Sequence, residues 1–218
     1  MKPPGRIIDD KRIAARLLDW YAVNARDFPF RKTRDPYKIL VCEILLRKTT
    51  AKQVASIYHR FFERYPEVSS LARAHAKDVA KLTTALGIRS RARQLVDIAR
   101  AAAHRFDRRI PSSLETLMKF KGVGRYVASC VLTFGYGARL PMVDSNAERI
   151  LSRVYWADSR QRFDPWRYYD SLAPRGDERR FHYALMDLAH YVCRPKNPMC
   201  FVCPISKCCR YALKLFKY

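Results

Sequence analysis

Four cysteines near the end of the chain constrain it more than any other feature: Cys193, Cys200, Cys203 and Cys209, spaced Cys-x6-Cys-x2-Cys-x5-Cys. Pro195, Pro198 and Pro204 interrupt the run, and little else in it could form a core. So short a loop becomes ordered around an inserted metal centre. Zinc is one candidate, but four-cysteine zinc modules usually draw on two pairs far apart in sequence. Four thiolates in a single run suit a cubane iron–sulfur cluster, so a [4Fe–4S] centre is favoured, with zinc as the alternative. Cys208 beside Cys209 makes the last ligand ambiguous; spacing favours Cys209. Cys42 and Cys130 lie in apolar runs and read as small core residues.

Charge narrows the partner. The 218 residues carry 43 Lys+Arg against 20 Asp+Glu, a formal net charge of +23. A surplus of that size points to a polyanion, with nucleic acid first. An anionic membrane fits less well, because neither a basic amphipathic anchor nor a lipidation motif is apparent. No apolar run approaches the eighteen residues of a membrane span. Met1 to Arg12 is polar and unlike a secretory signal, so the default location is cytoplasmic.

The remaining pattern is helical throughout, and an all-α protein is expected. Ile13, Leu17, Trp20 and Tyr21 mark an amphipathic helix from Asp9 to Ala25. Asp35-Pro36 starts a second, and Tyr37 to Leu46 is apolar enough to be buried. Further helices are expected at Lys52–Tyr65, Arg89–Arg105, Leu114–Met118, Tyr126–Gly135, Ser145–Trp156 and Asp177–Val192, with shorter pieces through Leu86.

Two glycines one residue apart, in Phe120-Lys121-Gly122-Val123-Gly124-Arg125-Tyr126, close a tight turn onto a helix start. Glycine permits close approach of a partner, and the amides at a helix N-terminus attract anions. The turn therefore reads as a phosphate grip, against the plainer reading of an ordinary helix–turn–helix joint. Asp144 follows eighteen residues after Tyr126 and opens the next helix. Its plain reading is a cap, since Ser145-x-x-Glu148 is a capping-box pattern.

Together these motifs resemble the endonuclease III superfamily of base-excision DNA glycosylases. The glycine turn is similar to that family's helix–hairpin–helix, Val143-Asp144-Ser145-Asn146 to its catalytic aspartate segment, and the cysteines to its iron–sulfur loop. The resemblance runs from Trp20 to Cys209. It implies two helical lobes with the active site in the cleft between them. Residues 27–138 would form a six-helix barrel-like lobe carrying the hairpin; 1–26 and 139–218 would form the cluster lobe.

Family resemblance also distributes roles. Bifunctional members carry a lysine nucleophile where this chain has Tyr126, so lyase chemistry loses its amine and a monofunctional enzyme using water is implied. Adenine glycosylases of the MutY type share the Asp144-x-Asn146 arrangement and resemble Met186-Asp187-Leu188, but they carry a further domain. The segment Glu43-Ile44-Leu45-Leu46-Arg47-Lys48-Thr49-Thr50, with Tyr126, looks most like archaeal thymine–DNA mismatch glycosylases. The expected activity is release of thymine or uracil mispaired with guanine from double-stranded DNA, by a monomer.

Cleaving an N-glycosidic bond builds positive charge on the sugar, and one fixed carboxylate can stabilise it and orient water. Asp144 takes that role. Glu43, a carboxylate in an apolar helix, is either structurally paired or lines the base pocket, and the pocket is favoured. Tyr126 would wall the pocket, or else serve as a core aromatic. Lys121, Gly122, Gly124, Arg125, Arg89 and Asn146 are expected at the DNA. Arg47 and Lys48 occupy the family's wedge region, with Leu86-Gly87-Ile88 as a second wedge. Arg91 and Arg93 are expected at phosphates beside Arg89, although a solvated helix face would need no such function. Two rivals remain: adenine release opposite guanine or oxidised guanine, and a non-catalytic iron–sulfur DNA-binding protein.

Overall fold

A computed structural model describes residues 9–87, 89–155 and 163–216. Its helices, in chain order, are α1 (Asp10–Asn24), α2 (Pro36–Leu46), α3 (Ala51–Arg64), α4 (Val68–Ala72), α5 (Ala76–Thr83), α6 (Arg89–Arg105), α7 (Leu114–Met118), α8 (Arg125–Tyr136), α9 (Ser145–Tyr155), α10 (Pro165–Leu172), α11 (Glu178–Tyr191) and α12 (Arg210–Leu215), with short 3-10 turns between some of them. No strand occurs among the described residues, so the protein is all-α. No helix among them is long and apolar enough to cross a membrane. The chain divides into two compact units, Asp27–Leu140 and the combination of Met1–Arg26 with Pro141–Tyr218.

In the unit Asp27–Leu140, the Asp35 carboxylate accepts the Tyr37 N–H at 2.8 Å and Pro36 fills the first turn, which fixes the start of α2. From Ile39 to Leu45 every residue of α2 is buried. This helix packs on α8, and Gly135 makes the approach possible. A Cβ there would stand 2.9 Å from Pro36 Cγ and 3.1 Å from Pro36 Cα. Helix α3 opens on a reciprocal cap between Thr50 and Gln53 and breaks at Tyr65, ahead of Pro66. Helices α4 and α5 lie on α6, and α7 leads through the glycine turn into α8.

In the other unit, Ile13 and Leu17 of α1 are fully buried, and α1 packs on α11 and α10. Helix α9 touches α10, α11 and α12. Arg26, just beyond α1, gives its backbone N–H to Asp187 Oδ2 at 2.9 Å and its Nε to Oδ1 at 2.5 Å. Asp187 is completely inaccessible to solvent, and a buried carboxylate is tolerated only with such partners. The Met186-Asp187-Leu188 motif thus ties the end of α1 to α11.

Two helices go beyond the sequence expectations. Helix α10 starts on the Asp-Pro signal already used at α2, with Asp164 accepting from the Trp166 N–H at 3.0 Å. Helix α12 follows the cysteine loop directly. Trp156, expected to end α9, lies outside the described residues.

Candidate active site and cysteine centre

The glycine turn is built from two glycines with different duties. Val123 N–H bonds the Phe120 carbonyl at 3.0 Å, which closes a β-turn with Gly122 in its third position. Gly122 has φ +81°, a left-handed value that a type II turn requires there. A Cβ at Gly122 would also meet Gln94 Nε2 at 2.3 Å. Gly124 instead has φ −90° and ψ 177°, extended backbone open to any residue, and a Cβ there would meet nothing within 4 Å. The fold demands glycine at 122 and not at 124. Gly124 is the N-cap of α8 and offers no side-chain cap to its amides. Lys121 and Arg125 flank the turn and are exposed; Tyr126, the second residue of α8, is half-buried.

The end of α2 reaches this turn. Arg47 Nη1 donates to the Gly122 carbonyl at 2.9 Å. Lys48, the next residue, is exposed and held at φ +56°, uncommon for a residue with a side chain. The Leu45 carbonyl accepts both the Thr49 hydroxyl and, at 2.9 Å, Arg91 Nη1. Glu43, one turn earlier in α2, is 8% exposed.

Three expectations around α6 need revision. Arg91 is buried and caps the carbonyl end of α2, so its guanidinium serves the fold and not a phosphate. Burial, and then the nearby Arg47 cation, lower its pKa from the ordinary value. Arg93 pairs on the surface with Asp97 at 3.4 Å. Leu86 is 5% exposed and belongs to the core, which withdraws it as a wedge. Ile88 and the side chain of Arg89 lie outside the described residues.

In the other unit, Asp144 is the N-cap of α9. Its Oδ1 accepts the N–H groups of Asn146 at 3.0 Å and Ala147 at 2.8 Å, and its Oδ2 accepts Asn146 Nδ2 at 2.9 Å. Its own carbonyl accepts the Glu148 N–H at 2.9 Å. The cap is therefore Asp144 and not Ser145, one residue earlier than the capping-box pattern suggests. Two bonds saturate Oδ1, while Oδ2 keeps a lone-pair site. Asn146, expected at the DNA, spends its side-chain donor on orienting this carboxylate.

Cys193, Cys200, Cys203 and Cys209 line a single cavity, with Ile150 and Val154 of α9 among its apolar walls. Cys208 is not among the lining residues. Burial pushes the Cys203 thiol up to about 12 and the Cys209 thiol up to about 11, and the other loop sulfurs add to both. No group of three or more His, Cys, Asp or Glu side chains among the described residues is arranged to hold a metal ion. Two arginines of α9, missed in the sequence, hold the loop. Arg149 Nε donates to the Cys193 carbonyl at 3.1 Å, and its Nη2 is buried without a hydrogen-bond partner. Arg153 donates to Cys193 Sγ at 3.2 Å and to the carbonyls of Arg194 and Pro195 at 2.7 and 2.9 Å. Their i, i+4 spacing on an amphipathic helix was the available signal, since it places both on one face.

A helical hairpin with a glycine grip, a capped aspartate and a four-cysteine loop define a class, and the chain belongs to it. Residues 41–165 match the HhH-GPD superfamily of base excision DNA repair proteins. A thymine-DNA glycosylase from Aeropyrum pernix is 40% identical over 94% of this chain and 97% of its own length. A thymine/uracil-DNA glycosylase from Methanothermobacter thermautotrophicus is 34% identical, over 92% of this chain and 93% of that protein. Among solved structures, that of a thermostable thymine-DNA glycosylase superposes with a TM-score of 0.86 at 34% identity, covering 93% of this chain and 95% of that one.

Proposed function

We propose that this protein is a monofunctional DNA glycosylase that releases thymine or uracil mispaired with guanine and leaves an abasic site. The observation that carries the reading is the near full-length similarity to a thymine-DNA glycosylase, at 40% identity.

Each part of the site has work in this reading. The mispaired base leaves the duplex at a cost of a few kcal/mol, smaller at a mismatch than in a matched pair. The amides at the start of α8, with Lys121 and Arg125, take a backbone phosphate, and the bare Gly124 lets it come close. Lys48, exposed on a left-handed backbone, enters the gap left in the stack. Glu43 hydrogen-bonds the extruded base and Tyr126 stacks on it. As the glycosidic bond lengthens, positive charge grows on the sugar, and Asp144 stabilises it through Oδ2 while orienting the attacking water. Tyr126 carries no amine, so no Schiff base forms and the strand is left intact.

The cysteine loop suits a [4Fe–4S] cluster held by Cys193, Cys200, Cys203 and Cys209. Four sulfurs around one shared cavity, none of them grouped for a single ion, support a multi-atom centre over zinc. The lining also supports Cys209 over Cys208 as the fourth ligand. When bound, the cluster cross-links the loop; Arg149 and Arg153 clamp the same loop to α9, so Arg194, Lys196 and Lys207 are presented to the duplex. The test is base release from a duplex holding one G:T or G:U pair, read as alkali-sensitive strand breakage.

A further inference from the structure

Successive carbonyls of the glycine turn are each held from outside the hairpin. Gln94 Nε2, on α6, donates to the Lys121 carbonyl at 2.9 Å. Arg47 Nη1, at the end of α2, donates to the Gly122 carbonyl at 2.9 Å. The first of these acts on the one peptide plane in the turn that can rotate. Type I and type II turns differ by a flip of their central peptide, and here that peptide joins Lys121 to Gly122. Glycine at its far end makes both forms accessible.

A planar trans peptide points its carbonyl and its N–H in opposite directions. Tying the Lys121 carbonyl to α6 therefore turns the Gly122 N–H away from Gln94. If that plane flipped, the N–H would be replaced by a carbonyl oxygen, which repels an anion. Gln94 is also in close register with the turn, since its Nε2 occupies the space that a Cβ at Gly122 would need. Glycine at 122 thus serves the turn and the donor together.

We infer that Gln94 is a positioning residue for DNA binding: it pins the Lys121–Gly122 peptide in the orientation that presents the Gly122 amide to a backbone phosphate. Arg47 secures the following carbonyl and joins the turn to Lys48, so grip and wedge are set by one hydrogen-bonded unit. This inference rests on the reading of the turn as a phosphate grip.

The test is Gln94→Met in the full chain, which keeps the length and neutrality of the side chain and removes the donor. Binding to a duplex carrying a stable abasic-site analogue is measured across a salt series, with melting temperature and single-turnover base release at saturating protein. The expected result is a Kd raised about tenfold and a log–log salt slope shallower by about 0.9, the loss of one phosphate contact. Melting temperature and saturated rate stay near wild type. An unchanged Kd would overturn the inference, as would a weaker Kd with a lowered melting temperature and an unchanged slope. If the wild-type protein releases no base, the glycosylase reading fails instead, and the binding series still decides the role of Gln94.

Discussion

Asp144 caps α9 with one carboxylate oxygen and is held by the side-chain amide of Asn146 through the other, at 2.9 Å. Capping and catalysis are usually competing explanations for an aspartate at a helix start. Here the capping bonds saturate Oδ1 and leave room on Oδ2, so the same residue serves both.

Substitution separates the two duties. Asparagine caps a helix about as well as aspartate, so Asp144→Asn should change stability by less than about 0.5 kcal/mol. Base release should fall by roughly 10²–10⁴, the range of a positioned acid–base group. DNA affinity should persist. Single-turnover kinetics beside a thermal melt would check this, and near-normal turnover would remove Asp144 from the chemistry.

Tyr126 stands at the second residue of α8, where the related bifunctional enzymes are expected to carry a lysine. Tyr126→Lys should bring strand cleavage and a borohydride-trappable protein–DNA adduct. Neither product should form with the wild type. A Tyr126→Lys variant that binds DNA but yields no adduct would contradict the assigned position of this residue.

The two glycines of the turn should respond differently to alanine. Gly122→Ala forces a side chain into left-handed backbone, costing roughly 1–2 kcal/mol, and displaces Gln94 as well. Gly124→Ala meets no neighbour and only weakens a cap, at under about 1 kcal/mol. Its effect should fall on DNA affinity, about tenfold. Chemical denaturation paired with binding titration tests the contrast; equal stability losses would refute it.

Iron analysis discriminates the adjacent cysteines. Cys209→Ser should lose bound iron and the visible absorbance of a cluster, since Cys209 lines the cavity. Cys208→Ser should retain both. The opposite pattern would reassign the fourth ligand.

Most of the helices are legible in the sequence because their signals are local: the Asp35-Pro36 start, the apolar run of α2, the break at Pro66. Helix α10 carries the same Asp-Pro signal at Asp164-Pro165 and could have been read from it. The duties of arginine are not legible. Arg47, Arg91 and Arg153 have identical side chains, and only three-dimensional neighbours decide that Arg47 braces a turn, Arg91 caps α2 and Arg153 holds the cysteine loop. A net charge of +23 points to nucleic acid but does not say which cations are free to meet it. Gln94 is invisible for a related reason. Its partner is a backbone carbonyl 27 residues away, and no sequence pattern marks such a bond.

The central claim is the choice of base. It is tested most directly by single-turnover reactions on duplexes identical except for one pair: G:T, G:U, A:T, G:A and oxidised guanine opposite adenine. Each is analysed with and without alkali. The account predicts release of thymine and uracil opposite guanine, with strand breakage only after alkali and no release from A:T. Release of adenine in their place, or tight binding with no base released from any duplex, would contradict it.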